Sequence, residues 1–474
     1  MDATSTTTTA KSGHESKLSA SLKSRHLTMM SIAGVIGGAL FVGSGSVIHS
    51  AGPAAVLAYL AGGILVVLIM RMLGEMATSS PDTGSFSTYA DRAIGRWAGF
   101  TIGWLYWWFW VLVIPIEAIA AGVILNNWFP QVETWVFALS MTLLLTVTNL
   151  FSVAKYGEFE FWFAMLKVVA IVAFIGLGAA ALLGLLPGRE VSGLHKLMGE
   201  HGGFMPNGWT AIFSALITTL FSFIGTEAVT IAAAESSDPG RNIAKATRSV
   251  IWRISVFYLL SILVIISVVP WNDPRLVEIG SYQRTLELLN IPNAQLLMDL
   301  VVLVAVASCL NSSVYIASRM IYSLSRRNDA PAFIQRTSAA GVPRAAVIAS
   351  TLIGMFTTLL NFFAPGRLFD FLLASSGSIA LLVYLAIAVS QLRMRGILRR
   401  RNHQLVFRMW LFPWLTWLVI GIISFILAVM FIMPTHRVEV SSTLALTVII
   451  ILLSQTGRRS SHSRPVPIRR AARG

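Results

Sequence analysis

Apolar runs long enough to cross a bilayer follow one another along almost the whole chain, separated by short polar connections. A helix needs about 20 apolar residues to span the hydrocarbon core. The pattern therefore predicts an all-α, polytopic membrane protein with twelve transmembrane helices. The predicted spans are residues 27–47, 54–76, 97–125, 135–151, 159–185, 209–234, 250–269, 296–323, 345–362, 369–392, 410–433 and 440–453.

The first span is unusually rich in glycine. Five glycines fall within residues 34–45, and each weakens a helix interior by roughly 1 kcal/mol relative to alanine. One interpretation is a break in the helix. The other is close packing of a second helix against Gly34 and Gly38, whose spacing fits a small-xxx-small contact.

The sixth span carries a carboxylate at membrane depth. Gly225 and Glu227 lie in the middle of residues 214–234. A carboxylate in a bilayer is costly and marks a functional candidate, while the glycine weakens the helix beside it. These residues favour a broken helix that lines a substrate cavity, since freed backbone groups need partners in protein or water. The alternative is a continuous helix in which Glu227 is hydrogen-bonded to a neighbour.

The positions of the two glycine-weakened spans indicate an internal repeat, because spans one and six each open a half of five helices. Paired interrupted helices at corresponding positions are the best sequence pointer to an inverted-repeat transporter. The predicted organisation is a disordered tail (1–22), two repeats (23–185 and 209–392), two further helices (410–455) and a basic tail (456–474).

Other charged groups lie within or at the ends of spans. Glu117 follows the helix-kinking Pro115 and either pairs with a substrate ammonium or accepts a structural hydrogen bond. Lys167 either neutralises a carboxylate, replaces a coupling cation or snorkels to the interface. Glu75 lies four residues after Arg71, which favours a gate or a structural ion pair.

Span eight contains a cation and a polar stretch. Its neighbours Arg326 and Arg327 make interface anchoring the favoured role of Arg319. The small polar side chains of residues 309–313 either face the cavity or hydrogen-bond between helices, as do those of residues 375–378 in span ten. Aromatic residues 104–110 indicate packing or interface anchoring.

Composition agrees with a membrane protein, because only 12% of the residues are charged and the mean hydropathy is +0.72, whereas soluble domains are about 25% charged. The net charge of +15 does not indicate nucleic-acid binding, because the basic residues cluster in short connections. Of the 36 lysines and arginines, 28 fall on the side of the two termini, 6 on the opposite side and two inside spans. Both termini are therefore predicted to be cytoplasmic.

Several function classes are excluded by what the sequence lacks. It has one cysteine, which rules out a disulfide framework and thiolate metal clusters. It contains no G-x-x-x-x-G-K-[ST] loop and no H-E-x-x-H motif. We expect no enzyme activity, no cofactor and no metal, and transport driven by an ion gradient instead of ATP.

Four stretches together resemble the bacterial amino-acid permeases of the amino acid–polyamine–organocation superfamily: KSRHLTM (23–29), RMLGEM (71–76), SFIGTE (222–227) and SRMIYSL (318–324). Longer runs at 86–115, 156–162, 202–208 and 375–395 are most similar to members of that family that carry 4-aminobutyrate. The resemblance covers nearly all of residues 22–455.

This resemblance implies a LeuT-type fold, in which two inverted repeats of five helices have broken helices one and six. It also implies proton-coupled import of 4-aminobutyrate and related amino acids across the bacterial inner membrane by alternating access. The expected partners are the amino-acid substrate, protons and the lipid bilayer, without nucleic acid. Alternatives are a permease of this family for aromatic amino acids, proline, or D-serine, D-alanine and glycine; a non-transporting sensor; and a channel.

The resemblance also implies a substrate site. The carboxylate would meet the break of span one at Ile36, Gly37, Gly38 and Ala39. The amine would meet the break of span six at Phe221, Ser222 and Ile224, with Glu117 or Glu227 nearby. Because 4-aminobutyrate is longer than an α-amino acid, its ammonium is expected farther from span one, with Glu117 as the favoured counter-charge.

The expected gating and coupling residues complete this set. Phe221 would close over the substrate, at a position where relatives carry tryptophan. Lys167 would stand where sodium binds in sodium-coupled transporters, which supports proton coupling, and Glu75 would take part in gating.

Overall fold

The computed structural model describes residues 22–30, 36–41, 43–186, 202–363, 367–400, 405 and 407–456. Its regular elements in these ranges are helices, and the one β-type contact among them is an isolated bridge between Leu22 and Ser236. The predicted tails fall almost entirely outside the described residues, as do Gly34 and its neighbours.

The described residues up to Leu182 form eight α-helices. They are α1 (Ser24–Met29), α2 (Gly38–Phe41), α3 (Gly43–Ala51), α4 (Ala55–Ser79), α5 (Ser85–Ala93), α6 (Arg96–Trp128), α7 (Thr134–Phe151) and α8 (Val153–Leu182). The helix α6 continues through Pro115 without interruption, because the neighbouring helices of a bundle can satisfy the backbone groups that proline frees.

The described residues from Gly208 onward form eleven further α-helices. They are α9 (Gly208–Phe223), α10 (Ala228–Ala234), α11 (Pro239–Arg253), α12 (Ser261–Val268), α13 (Arg275–Glu278), α14 (Ser281–Leu288), α15 (Ala294–Arg326), α16 (Arg344–Phe363), α17 (Arg367–Arg400), α18 (Trp414–Ile432) and α19 (Pro434–Thr456). A π-helical segment, Ile254–Leu260, joins α11 to α12.

Nine helical stretches within the described ranges are long and apolar enough to cross a membrane, and two shorter apolar helices, Gly208–Leu220 and Arg344–Leu360, accompany them. The protein is therefore an all-helical, multi-pass membrane protein. The count of twelve spans and the inverted-repeat organisation remain predictions.

The bundle has enclosed and peripheral helices. In α6 and α15, 72% and 78% of the most apolar stretch is buried. The corresponding fractions are 28% in α7, α8 and α18, and 17% in α19, so these four present most of their apolar surface outward, as lipid-facing helices do. The helices α6 and α15 therefore form the centre around which the others pack.

One end of the bundle is rich in arginine, and we refer to it as the basic end. There Arg96, the first residue of α6, pairs with Asp329 just after α15 at 3.1 Å. At the same end Arg395 of α17 lies 3.5 Å from Glu75 of α4.

The span-one region is divided along its length. The helix α1 is followed by an α-type residue at Met30, residues 31–35 lie outside the described part, and Ile36 and Gly37 are non-helical before α2 begins. The backbone of Ile36 and Gly37 is thus exposed to neighbouring side chains instead of being capped within a helix.

The span-six region is interrupted between Phe223 and Ala228. Gly225 has φ +95°, a left-handed conformation that other residues adopt only with strain. Local bonds close the turn, since Thr226 N–H donates to the Phe223 carbonyl at 3.3 Å and Ala228 N–H to the Gly225 carbonyl at 3.0 Å. A glycine at position 225 is what allows the chain to leave one helix and start the next.

Span seven differs from its prediction at one end. The predicted span began at residue 250, whereas the helical rod begins at Pro239 and runs through the π-helical segment to Val268. Arg253 lies inside this rod and is only 2% exposed. Arginine at this position is part of the bundle interior.

Candidate functional site

Glu117 of α6 lies directly against the break of span one. A Cβ atom added to Gly37 would be 2.7 Å from the Glu117 Oε1 atom, and one added to Gly38 would be 3.9 Å from Oε2. The side chain is 8% exposed. The Glu117 carboxylate therefore lies beside the backbone that is predicted to meet the substrate carboxylate, and its role as a counter-charge for the ammonium stays a prediction.

Cys309 of α15 completes the wall beside Glu117. Its Sγ and Cβ atoms would each lie 3.2 Å from a Cβ atom at Gly37. Only a glycine fits between the thiol and the carboxylate without movement of a neighbour. The close approach of two helices to the break thus explains the glycine at this position.

Lys167 of α8 is held at the same break by two hydrogen bonds. Its Nζ donates to the Ile36 carbonyl at 3.1 Å and to Ser308 Oγ at 2.8 Å. Ser308 in turn donates to Glu160 Oε1 at 2.6 Å. Lysine, serine and glutamate are all fully buried, so Lys167 does not snorkel, and it joins span one to α8 and α15.

The breaks of spans one and six touch each other. Ser222 Oγ, at the end of α9, lies 3.5 Å from the Ala39 carbonyl in α2. On its other side, Tyr258 of the π-helical segment donates its hydroxyl to the Ser222 carbonyl at 2.9 Å. Ile224, in the turn, is 7% exposed. The backbone of Phe221 lies within α9, and its side chain falls outside the described part.

The Glu227 side chain accepts hydrogen bonds from the turn that interrupts span six and from two neighbouring helices. Both carboxylate oxygens accept from Gly225 N–H, at 3.1 and 3.2 Å. Oε1 also accepts from the Tyr106 hydroxyl at 3.0 Å, and Oε2 from the Tyr384 hydroxyl at 3.3 Å. Both alternatives for this span thus hold in part: the helix is broken, and Glu227 is hydrogen-bonded to neighbours.

Glu227 and Glu117 lie at different depths. Tyr106, which binds Glu227, precedes Glu117 by eleven residues on α6, which is about 16 Å along a helix. The shift is toward the basic end, where α6 begins. Glu227 therefore organises the turn, while Glu117 and Lys167 flank the break of span one.

Glu75 does not belong to this group. Its carboxylate accepts from Gln391 Nε2 at 2.9 Å and from Met409 N–H at 2.6 Å, and it faces Arg395 at 3.5 Å. The expected ion pair with Arg71 is replaced by these contacts, because Arg71 turns toward the connection that follows α17. Glu75 fastens this connection to α4.

Arg319 forms a second centre nearer the basic end. Its Nε donates to Glu235 Oε1 at 3.0 Å, and both side chains are only 1% exposed. The guanidinium carbon lies 3.9 Å from the ring centroid of Tyr315, which stacks on Tyr156 at 4.2 Å. Interface anchoring was thus the wrong role for Arg319, whose partner, Glu235, follows the predicted end of span six.

The polar stretch of α15 makes contacts between helices. Asn311 Oδ1 accepts from Thr148 Oγ1 and from Asn149 Nδ2, both at 2.9 Å. The aromatic residues of α6 pack in the interior, where Trp107 Nε1 donates to Ser350 Oγ at 2.9 Å. Trp107 therefore packs inside the bundle and does not anchor α6 at the membrane interface.

The hollow beside the span-six break is small. It has a volume of about 10 Å³ and lies between Gly225, Met30, Tyr156 and Tyr315, which is room for about one water molecule. A hollow of about 620 Å³ opens at the surface near Trp128, far from the predicted site residues.

The family follows from a sequence comparison. A match to the amino acid permease family covers residues 26–459. The chain belongs to the amino acid permease family. This family lies within the amino acid–polyamine–organocation superfamily, and its members are transporters, not enzymes.

Individual permeases are similar over almost the whole chain. The sequence is 66% identical to a probable GABA permease of Pseudomonas aeruginosa, with 93% of each chain aligned. It is 59% identical to the gamma-aminobutyric acid permease of Escherichia coli, over 93% of this chain and 94% of the relative. An aromatic amino acid transport protein of Corynebacterium glutamicum is 40% identical, over 92% and 95%.

Several residues that the structure places at the candidate site were not predicted. Glu160 had a usable signal, since it precedes Lys167 by seven residues and so lies on the same face of α8. The others are neutral tyrosines, a serine and an arginine near the start of a predicted span, and their roles depend on which helices are neighbours. They are Tyr106, Tyr258, Tyr384, Ser308 and Arg253.

Proposed function

We propose that this permease imports 4-aminobutyrate and related amino acids across the bacterial inner membrane by proton-coupled symport, with both termini in the cytoplasm. The observation that carries the proposal is the similarity to permeases whose names specify this substrate, at 66%, 59% and 50% identity over 92–93% of this chain. The aromatic amino acid transporter, at 40%, supports the second candidate less strongly.

The proposed substrate site lies between the breaks of spans one and six. The backbone N–H groups at Gly38 and Ala39 would receive the substrate carboxylate, because amides at the start of a helix attract anions. Carbonyl oxygens at Phe221, Ser222 and Ile224 would receive the ammonium, and Phe221 would close over it. Alternating access would then expose this site to each side in turn.

The position of Glu117 gives the proton a proposed role. An ionised Glu117 beside Gly37 would repel an incoming substrate carboxylate, since two like charges in a buried site oppose each other strongly. A protonated Glu117 would not. Substrate and proton would therefore bind together, which is the requirement for symport.

Lys167 would support this coupling as a fixed cation. Its bonds to the Ile36 carbonyl and to Ser308 hold the break of span one in place. Removal of the charge by Lys167→Met would leave that carbonyl without its buried donor and leave Glu160 without its cationic neighbour. We expect loss of both substrate binding and transport in this variant.

The decisive experiment is uptake into proteoliposomes. Purified protein is reconstituted, a pH step is imposed with the inside alkaline, and radiolabelled 4-aminobutyrate is followed in the presence of unlabelled aromatic amino acids, proline, D-serine, D-alanine or glycine. The proposal expects concentrative uptake, which saturates and is inhibited best by 4-aminobutyrate. Preferential inhibition by an aromatic amino acid would assign the second candidate substrate, and flux without saturation would indicate a channel.

Glu117→Gln tests the proton site separately. The amide keeps the shape of the side chain but cannot release a proton. We expect counterflow exchange of 4-aminobutyrate to continue while uptake loses its response to the pH step. Glu133→Gln serves as a control, since it neutralises an exposed carboxylate outside the candidate site. If Glu117→Gln showed normal pH-driven uptake, Glu117 would not be the residue that carries the coupled proton.

A further inference from the structure

The connection between α17 and α18 packs on α4 through a stacked arginine. The guanidinium carbon of Arg71 lies 4.5 Å from the ring centroid of Phe407 and 3.9 Å from that of Trp410. Its Nη2 donates to the Arg408 carbonyl at 2.5 Å. Cation–π contacts of this kind hold a guanidinium in a fixed plane.

More arginines converge on the same place. Arg71 interacts electrostatically with Arg248, and Arg395 with Arg399 and Arg408. Together they form what we call the arginine cluster: Arg71, Arg248, Arg395, Arg399 and Arg408. Phe412 lies beneath two of them, with its ring centroid 4.2 Å from Arg395 and 6.0 Å from Arg399.

The charges of the arginine cluster are not balanced by protein carboxylates. Within the described ranges, Glu75 is the one acidic side chain recorded against it. That carboxylate already accepts from Gln391 and from the Met409 backbone. The buried Nε atoms of Arg71 and Arg395 have no hydrogen-bond acceptor among the described residues. The cluster thus combines a surplus of positive charge with guanidinium N–H groups that no described residue satisfies.

The surface around the cluster is that of a protein at a membrane interface. Trp410, Leu411, Trp414 and Trp417 are 43%, 75%, 77% and 56% exposed. Tryptophan is enriched at the depth of the lipid headgroups, and α18 starts here as one of the peripheral helices. A ligand that matches both features has an anionic group for the arginines and an apolar part for the exposed side chains. A phospholipid has this composition.

We propose that the arginine cluster binds the phosphate of an anionic phospholipid, with its acyl chains against the exposed tryptophans and Leu411. Arginine forks bind phosphate oxygens in pairs, and basic groups beside membrane helices attract anionic headgroups. The bound lipid would lie across α4, α11 and the α17–α18 connection, and so link both halves of the chain.

Lipid binding is measured directly by native mass spectrometry. The full-length protein is delipidated in detergent and titrated with dioleoylphosphatidylglycerol or with dioleoylphosphatidylcholine, which has the same chains without net charge. We expect the phosphatidylglycerol adduct to form at lower lipid concentration. Inorganic phosphate is added as a competitor to distinguish a headgroup site from a site for a free anion.

The test variant is Arg248→Ala/Arg408→Ala, because both side chains are exposed and their loss leaves the stacked core intact. The apparent Kd for phosphatidylglycerol should rise about 30-fold, at about 1 kcal/mol for each arginine and 1.4 kcal/mol per tenfold. Arg336→Ala/Arg344→Ala removes two exposed arginines from another connection and should change this Kd less than threefold. Arg408→Lys, which keeps the charge, should weaken binding less than Arg408→Ala.

Three outcomes would overturn the proposal. One is equal affinity for the two lipids. The second is an equal effect of the two double variants, which would mean that the whole basic end attracts anionic lipid without a defined site. The third is displacement of phosphatidylglycerol by inorganic phosphate at equal concentration, which would assign the cluster to a free anion.

Discussion

Arg319→Ala should destabilise the permease more than any substitution of an exposed arginine. Arg319 and Glu235 are each 1% exposed and joined by a 3.0 Å bond, so the variant leaves a carboxylate buried without its cation. Removal of one partner from a buried pair costs about 3–5 kcal/mol. Loss of the cation–π contact with Tyr315, at 3.9 Å, adds to the effect, on the order of 1–2 kcal/mol.

The assay is thermal unfolding of the purified protein followed by intrinsic tryptophan fluorescence. For a chain of this length, 1 kcal/mol corresponds to roughly 1–2 °C in Tm, so Arg319→Ala should lower Tm by roughly 5 °C or more. Arg344→Ala, at an exposed position, is the matched control and should change Tm by less than about 1 °C.

A double-mutant cycle separates the ion pair from simple loss of packing. In Glu235→Gln/Arg319→Met both charges are gone, so no unpaired charge stays buried. This variant should therefore unfold at a higher temperature than Arg319→Met alone, and its loss should be smaller than the sum of the losses of Glu235→Gln and Arg319→Met. Additive losses, or a Tm for Arg319→Ala equal to that of Arg344→Ala, would refute the reasoning.

Two further predictions concern the breaks. Gly37→Ala should lower Tm and 4-aminobutyrate uptake much more than Gly38→Ala. The new Cβ at residue 37 would lie 2.7 Å from Glu117 Oε1, whereas the nearest atom to a new Cβ at residue 38 would be 3.5 Å away. Equal effects of the two substitutions on Tm would contradict this packing. Tyr258→Phe removes the hydroxyl that donates to the Ser222 carbonyl at 2.9 Å, and such a hydrogen bond contributes about 1 kcal/mol. The KM for uptake should therefore rise several-fold, while Tm falls by less than about 2 °C. An unchanged KM would show that this hydrogen bond does not shape the site.

The helices and the span-six break follow from local sequence features. Apolar length locates most spans to within a few residues, since a bilayer fixes how long a helix must be. Gly225 and Glu227 together mark the break, because one permits a left-handed turn and the other provides an acceptor for its N–H. These signals lie within one stretch of chain and need no knowledge of neighbours.

The contacts between helices could not be predicted from local sequence features. Arg319 and Arg253 look like ordinary arginines near helix ends, and their burial depends on Glu235 and Thr226, which belong to the span-six region. Glu117 is predictable as a functional candidate by its depth, but its side of the site is not, because helix rotation decides whether it faces the break of span one. Sequence spacing fixes positions along a helix and leaves the pairing between helices open.

The π-helical segment of span seven has a geometric consequence. Arg253 contacts Thr226 on one side of the span-six turn, and Tyr258, five residues later, contacts Ser222 on the other. In an α-helix two such residues point about 140° apart, whereas the wider π turn brings positions five apart nearly into line. If Ile254–Leu260 rewound to α geometry, Tyr258 would swing away while Arg253 kept its hold. The π turn is thus what lets one span hold the span-six region at both Thr226 and Ser222.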